Sequence, residues 1–220
     1  MNRSSILSAC FFLGLAISPA FSLGEKMLNS NLEVTQPTQG TWGVTFCVTN
    51  NNLGNGYWVD PVSNNLSSYS EAGLGGKYYI NNRMRIGATI DFFINSWNYA
   101  NKDTESLHGG ALRCDFDYIF FASGPIDLYA GPMAEAALAW GSYDSDSSSI
   151  TTTFSGQTYS FGCEIGAEFF LHSQFSIGAS CPIMYRIVTT KTDNSSALVG
   201  PTESSFFALG SICLDLTYYF

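Results

Sequence analysis

Ser106 and His108 are the residues whose types and spacing best fit hydrolytic chemistry. They stand two positions apart, so both side chains lie on the same face of an extended strand. A serine nucleophile also needs a base within hydrogen-bond reach and an acid that orients this base. The second histidine, His172, follows an apolar segment and precedes Ser173 in a short connection. The simpler interpretation of His108 is an interfacial side chain, so we predict no catalytic residue and no enzyme.

Charged side chains form a second pattern, because they recur at every other position between apolar residues. Such a face is typical of a solvated exterior or of a salt-bridged interior. A buried charge without a partner costs several kcal/mol, so an interior of this kind requires interlocking ion pairs. We predict a lumen charge network of Lys77, Arg85, Asp91, Arg113, Asp115, Asp117, Asp127, Glu135, Glu164, Glu168, Arg186 and Asp215.

The N-terminus is typical of a secretory signal peptide. Arg3 precedes an apolar run over residues 6–17, and small residues around Ser22 fit a cleavage site. The run is too short for a helix that crosses ~30 Å of hydrocarbon, and Cys10 within it leaves a lipoprotein signal as the alternative. We predict a signal peptide over residues 1–22, a flexible periplasmic segment over residues 23–39 and one barrel domain over residues 40–220.

The main structural signal is alternation of apolar and polar residues with a period of two, which predicts β-strands. In the first such segment, Trp42, Val44 and Phe46 alternate with small or polar side chains. The pattern recurs along the chain with turn residues between its repeats. The predicted strands cover residues 41–49, 67–80, 84–95, 107–120, 126–140, 158–170, 175–189 and 205–220.

The connections between these segments alternate in length, and the long polar ones cover residues 50–65, 96–105, 141–156 and 190–204. An even number of strands with short turns at one end and long loops at the other is typical of outer-membrane barrels. Aromatic residues cluster at the strand ends, as in the two interfacial belts of a membrane protein. We therefore predict an all-β, eight-stranded antiparallel up-and-down transmembrane β-barrel with charges inside, rather than a soluble sandwich or lipocalin-type barrel.

Cysteine positions suggest one specific crosslink. Cys47 lies in the first predicted strand and Cys213 in the last, both on the polar face, and these strands must pair to close the barrel. We predict a possible Cys47–Cys213 disulfide, and Cys163 and Cys181 are a second candidate pair on adjacent strands. The alternative is that all these cysteines are free. No Cys-x-x-Cys or Cys/His spacing indicates a metal site, and we expect no cofactor.

Two stretches carry a resemblance to a known family: Gly-Gly-Lys-Tyr-Tyr-Ile-Asn-Asn-Arg-Met-Arg-Ile-Gly-Ala at residues 75–88, and the aromatic C-terminus at residues 214–220. The chain resembles the small outer-membrane barrels of the OmpA, OmpX and opacity-protein type over about residues 40–220. This resemblance implies residence in the cell outer membrane of a Gram-negative-type bacterium. It also implies insertion by the barrel-assembly machinery, with Leu216, Tyr218 and Phe220 as the assembly signal.

The family hosts many functions, so the fold alone does not give the role. We expect a non-enzymatic surface protein that serves membrane structure, adhesion or antigenic display through its long extracellular loops. The alternatives are a lipid-modifying enzyme of the outer leaflet and a narrow ion-conducting pore. Expected partners are outer-membrane lipid, lipopolysaccharide, the assembly machinery and a host or surface ligand, and we expect a monomer. The net charge of −9 excludes nucleic acid, whose phosphates require Lys and Arg.

Overall fold

The computed structural model describes residues 36–50, 70–98, 104–145, 150–194, 197–210 and 212–220. The predicted signal peptide and residues 23–35 of the predicted periplasmic segment lie outside this part of the chain. Almost all described residues belong to β-strands, as the alternating pattern predicts. No helix long and apolar enough to cross a membrane occurs among them.

The described residues form nine strands. In chain order they are β1 (Trp42–Asn50), β2 (Ser70–Asn81), β3 (Met84–Asn98), β4 (Thr104–Ser123), β5 (Ile126–Ser145), β6 (Ile150–His172), β7 (Phe175–Asn194), β8 (Ala197–Leu209) and β9 (Cys213–Tyr219). Two-residue turns connect β2 to β3, β4 to β5, and β6 to β7. One of them contains Gly124, whose φ of 55° is a conformation that glycine adopts without strain.

The strands form a closed antiparallel ring. Each strand from β1 to β6 pairs with the next along the chain. β7 pairs with both β8 and β9, and β9 pairs with β1, which completes the ring. Because β8 and β9 occupy successive parts of one position beside β7, the ring has the eight strand positions of the predicted up-and-down barrel. The fold prediction is confirmed.

A one-residue bulge separates β8 from β9. Leu209 pairs with Ile183 and Cys213 with Ser180, so four steps along this strand oppose three steps along β7. Pro182 lies in this stretch of β7 and has no N–H for the ladder. Gly210 N donates to Pro182 O at 2.7 Å. A Cβ at position 210 would lie 2.4 Å from Pro182 Cγ, so only glycine fits here.

The bulge inverts the faces of β8 relative to the prediction. Continuous alternation through residues 205–220 predicts Phe206 and Ala208 on the lipid-facing side. In the structure Phe207 is 74% exposed and Ala208 only 5% exposed. Phe207 packs on the outer wall against Tyr185, with ring centroids 5.1 Å apart. One extra residue is enough to exchange the two faces, since side chains alternate along a strand.

Three of the predicted long loops contain stretches of paired strand. β6 has 23 residues, and β4, β5 and β7 have 20 each, whereas a membrane crossing needs about 10. The predicted loops at residues 96–105, 141–156 and 190–204 therefore contain long hairpin arms. The outward side chains of the β6 arm, such as Thr153 and Ser155, are polar and exposed, so this arm lacks the apolar alternation that marks a membrane-facing strand. The fourth predicted loop, residues 50–65, lies almost entirely outside the described residues.

Apolar side chains face outward and small or polar side chains face the interior, as predicted. Along β1, Val44 and Phe46 are 46% and 48% exposed, while Thr45 and Cys47 are 2% and 0% exposed. Large apolar side chains cover the outer wall of the other strands in the same way, including Leu74, Ile90, Leu112, Ile165 and Leu214. An apolar exterior around an ionised interior is the arrangement of a membrane barrel.

Candidate functional site

The interior wall carries the residues assigned to the lumen charge network. Asp115 is half-buried and the others are nearly inaccessible to solvent. Glu71, on the same inward face of β2, is 2% exposed. The buried members of the network are Lys77, Arg85, Asp91, Arg113, Asp117, Asp127, Glu135, Glu164, Glu168, Arg186 and Asp215.

Two cations organise the middle of this interior. Lys77 Nζ lies 3.2 Å from Asp215 Oδ2 and 3.8 Å from Glu168 Oε2. Arg85 Nε lies 2.8 Å from Asp117 Oδ2, and Arg85 Nη1 contacts Glu168 Oε2. These pairs connect β2, β3, β4, β6 and β9 across the barrel. The strands are therefore crosslinked through their side chains as well as through the sheet.

Glu168 also accepts hydrogen bonds from two hydroxyl groups. Tyr219 Oη donates to Glu168 Oε1 at 2.5 Å, and Ser176 Oγ donates to the same oxygen. Hydroxyl donors and cations together satisfy a carboxylate that would otherwise be costly to bury. Tyr219 is absent from the predicted lumen network. Because Tyr219 is an even number of residues from Asp215 along the strand, alternation places both side chains on the inward face.

An aromatic layer, consisting of Tyr79, Ile119, Tyr129, Phe170 and Tyr219, closes the interior near the short-turn end. The guanidinium carbon of Arg85 lies 3.9 Å from the centre of the Tyr129 ring, which is a cation–π contact. A Cβ at position 166 would lie 2.3 Å from Tyr129 Cζ, so Gly166 provides the space for this ring. Tyr79, which the pattern of aromatic belts would place at the membrane interface, lies inside.

Residues before the barrel contribute to this closure. Gln36 Nε2 donates to Asp127 Oδ1 at 2.7 Å and to Gly124 O at 3.1 Å. Pro37 is buried beside it. The end of the segment predicted as a flexible lead is therefore attached to the barrel at the turn between β4 and β5.

An apolar layer, formed by Phe93, Leu107, Ala111, Ala137, Ala139 and Phe154, lies inside the barrel toward the long hairpins. Glycines opposite the two rings make room for them. A Cβ at Gly109 would lie 2.1 Å from Phe93 Cζ, and one at Gly141 would lie 2.5 Å from Phe154 Cζ. Lys77, Arg85 and Arg113 therefore lie between this apolar layer and the aromatic layer.

A cavity of about 10 Å³ remains between the charged side chains of the middle region. Its walls include Arg85, Arg113, Asp115, Asp117 and Glu164. This volume is close to the minimum that holds a single water molecule. An eight-stranded barrel is just wide enough for side chains to fill its interior. The charged side chains around this cavity therefore pack closely in the middle of the barrel.

A second charged group lies between the cavity and the apolar layer. Arg113 and Glu135 are directly paired residues of β4 and β5. Ser160 Oγ donates to Glu135 Oε1 at 3.1 Å, and Ser160 pairs with Arg186. Both carboxylate oxygens of Glu71 are buried, and neither has a hydrogen-bond partner among the described residues.

The two cysteines of the predicted crosslink lie beside each other at the seam between β1 and β9. Cys47 pairs with Asp215, and Thr49 pairs with Cys213, so the two thiols are diagonal neighbours on the inward face. Both are 0% exposed, and both are free. Their sulfur atoms lie within 4.8 Å of each other. A disulfide between them stays a prediction, as does one between Cys163 and Cys181, whose strand positions pair with Ile183 and Ile165.

The residues considered for hydrolysis do not form a Ser–His pair in the described structure. Ser106 Oγ lies 3.1 Å from Ser142 Oγ. His108 pairs with Ile94 and Trp140, whose side chains are 76% and 54% exposed. His172 lies at the opposite end of the barrel, where its Nδ1 accepts from Gln174 N at 3.3 Å.

The predicted assembly signal lies on the outer wall of β9 and just beyond it. Leu216, Tyr218 and Phe220 are 41%, 49% and 67% exposed. Phe220 N donates to Trp42 O at 2.9 Å, which joins the end of the chain to the start of β1.

The closed ring, the apolar wall and the filled interior define a small membrane β-barrel protein. The chain belongs to the outer membrane protein beta-barrel domain family, whose model matches residues 8–202. It is an outer-membrane protein. The comparison with curated proteins gives no match.

Two solved structures share the fold. Ail, the attachment invasion locus protein of Yersinia pestis, is 14% identical, with a TM-score of 0.51, and the alignment covers 83% of this chain and 99% of that one. A major outer membrane protein from Thermus thermophilus is 11% identical, with a TM-score of 0.52 and coverage of 82% and 99%. These likenesses support the eight-stranded architecture of the small outer-membrane barrels.

Proposed function

We propose that the protein is a non-enzymatic surface protein, in which a filled barrel anchors long strand hairpins that make contacts outside the cell. The observation that carries this proposal is the length of the strands. β6 has 23 residues, and about 10 are needed to cross the membrane. The remainder corresponds to about 40 Å of extended strand beyond the membrane.

The outer face of β6 changes character where it would leave the hydrocarbon. Tyr159 and Phe161 are 47% and 53% exposed apolar side chains. Farther toward the hairpin, the outward positions hold Thr153, Ser155 and Gln157, all exposed. On β7 the exposed Lys191 Nζ lies 3.7 Å from Asp193 Oδ2. Polar strand extensions of this kind suit contact with lipopolysaccharide or with a ligand on another surface.

The buried ion pairs of Lys77 and Arg85 occupy the middle of the barrel, which supports an anchor rather than the pore alternative. The enzyme alternative is less favoured, since the hydrogen bond of the Ser106 hydroxyl among the described residues is to Ser142, at 3.1 Å, and not to a histidine. We also propose a monomer, since the sheet closes on itself between β6 and β7 and between β1 and β9. Insertion by the barrel-assembly machinery is proposed from the outward Leu216, Tyr218 and Phe220.

Antibody labelling of intact cells tests the display function. A short epitope inserted between Ser145 and Ile150, at the β5–β6 hairpin, should be labelled without permeabilisation. The matched control carries the same epitope at the turn between Asn81 and Met84, and it should be labelled only after permeabilisation. Labelling of the second variant on intact cells, or of neither, would contradict the proposed orientation.

Contact function is tested by the binding of expressing cells to cultured epithelial cells. Cells with the wild-type protein should bind more than cells in which Thr153 and Ser155 are replaced by bulky lysines. Equal binding, at equal surface amounts, would remove the adhesion role.

Stepwise conductance in a planar bilayer would instead favour the pore. A change in outer-membrane lipid that Ser106→Ala and His108→Ala abolish would favour the enzyme.

A further inference from the structure

Three potential metal ligands from β1 and β9 lie together in the interior, and a fourth, Asp91 of β3, contacts one of them. Cys47 Sγ, Cys213 Sγ and an Asp215 carboxylate oxygen all lie within 4.8 Å of one another. Cys213 Sγ is 3.4 Å from Asp215 Oδ1, and Cys47 Sγ is 2.9 Å from Asp91 Oδ1. None of the four residues is more than 8% exposed. Thiolates and carboxylates together form a donor set of the kind that zinc accepts.

Gly73 keeps the space for this group. It is paired with both Cys47 and Asp91, from β1 and β3. A Cβ at position 73 would lie 1.9 Å from Asp91 Oδ1 and 2.6 Å from Cys47 Sγ. The absence of a side chain on β2 therefore allows the thiol and the carboxylate to meet. Asp91 is 1% exposed, and its second oxygen, Oδ2, has no hydrogen-bond partner among the described residues.

Two cations, Lys77 and Arg113, contact the proposed ligands and can fix their orientation. Lys77 Nζ contacts Asp215 Oδ2 at 3.2 Å, which leaves Asp215 Oδ1 directed toward Cys213. Arg113 Nη2 lies 3.5 Å from Cys213 Sγ and 3.9 Å from Cys47 Sγ. Hydrogen bonds to the ligands fix their orientation and strengthen a metal site. The two cations also balance the negative charge of two thiolates and two carboxylates around a divalent ion.

We propose that Cys47, Cys213, Asp215 and Asp91 bind one zinc ion inside the barrel. In a tetrahedral site, sulfur and oxygen ligands lie about 3.6 Å apart. The distance between Cys213 and Asp215 is close to this value, and the contact between Cys47 and Asp91 has to open by about 0.7 Å to reach it. Asp91 lies outside the group of atoms within 4.8 Å of one another, so its carboxylate also has to shift toward Cys213 and Asp215 to complete the site. Binding displaces the two thiol protons to solvent.

A zinc ion at this place would stabilise the closed barrel, because its ligands come from strands that meet only on closure. β1 and β9 are the first and last strands of the ring, and they meet when the barrel closes. Zinc would join this seam and connect it to β3 through Asp91. Because the ligands come together only in the closed barrel, metal binding stabilises the closed state relative to the unfolded chain.

Metal analysis of the full-length protein, purified from outer membranes without chelators, tests the proposal. We expect about one zinc ion per chain, as for a structural zinc site, after dialysis against zinc chloride alone and removal of free metal. Cys47→Ser and Cys213→Ser should reduce zinc to background. Cys114→Ser is the matched control, since Cys114 is an exposed cysteine, and it should retain the metal. Cobalt in place of zinc should show thiolate-to-metal absorption only when both Cys47 and Cys213 are present.

Folding of each variant is verified by its heat-modifiable mobility on a detergent gel. If the serine variants fail to fold, Asp91→Asn provides the test, because it should lower zinc affinity while both thiols remain. Zinc at background in the wild-type protein would overturn the proposal. Equal zinc in the wild type and the folded variants, or a Cys47–Cys213 disulfide identified by mass spectrometry in the native protein, would overturn it as well.

Discussion

Arg85 on β3 and Glu168 on β6 form an ion pair across the barrel, with side chains 1% and 0% exposed. Their strands are not neighbours in the sheet, since β3 pairs with β2 and β4. The pair therefore connects opposite walls through the interior. Lys77 and Tyr219 contact the same carboxylate, so Glu168 connects the two cations of the middle region.

Replacement of Glu168 by Gln should strongly destabilise the barrel. The change leaves Arg85 and Lys77 buried without one of their counter-charges, and removal of one partner from a buried pair typically costs about 3–5 kcal/mol. The measurement is the free energy of unfolding in urea after insertion into lipid vesicles. Glu203→Gln is the control, because Glu203 is exposed and should change little. Similar stability for both variants would show that Glu168 is not the organising residue.

The fold of the membrane-spanning strands can be predicted from the sequence, because the alternation of apolar and polar residues is a local pattern within each strand. Val44, Phe46 and Val48 face lipid while Thr45 and Cys47 face the interior, and one pattern of period two fixes both faces. Above the membrane the outward side chains of β6, such as Thr153 and Ser155, are polar, so the apolar alternation ends and the hairpin arms are mistaken for loops. The bulge at Gly210 could not be predicted from the sequence either, because it depends on contact with Pro182 of another strand.

Replacement of Gly131 by Ala should destabilise the barrel through backbone overlap. The added Cβ would lie 1.8 Å from Phe116 O and 2.8 Å from Asp117 Cα, both backbone atoms of β4. Overpacking of this kind typically costs about 1–3 kcal/mol. Gly76→Ala is the matched control, because its nearest atom would be 3.5 Å away. Unfolding in urea should separate the two variants, and a smaller loss at position 131 than at position 76 would refute the close approach.

The charges of the candidate site could be placed inside the barrel from the sequence, but their partners could not. Alternation gives the face of Lys77 or Asp215, whereas the salt bridge between them requires the closure of the barrel. The zinc ligands show the same limit, since Asp91 and Cys213 are far apart in sequence and conform to no metal-binding spacing. The sequence did not predict Tyr129 as part of the interior site, because an inward aromatic ring needs the space that Gly166 leaves on β6.

An arginine on the outer wall should destabilise the protein only at membrane level. Ile90 is 50% exposed and lies between Leu74 and Leu112, which are 61% and 50% exposed. Ile90→Arg places a charge against lipid and should cost about 2–4 kcal/mol near the midplane. Thr153→Arg is the control on the exposed arm of β6 and should be nearly neutral. The free energy of unfolding in vesicles checks this, and equal values would contradict the lipid-facing assignment.

Replacement of Phe220 by Ser should slow assembly more than it lowers the stability of the finished barrel. Phe220 is 67% exposed, so little packing inside the protein is lost, while the proposed signal read by the assembly machinery loses its terminal aromatic ring. The measurement is the appearance of heat-resistant, fast-migrating protein over time after induction in cells. Phe207→Ser is the matched control, because Phe207 is also an outward aromatic side chain, 74% exposed, but lies on β8 away from the terminus. Equal assembly rates for the two variants would show that the ring of Phe220 acts only as one more lipid-facing side chain.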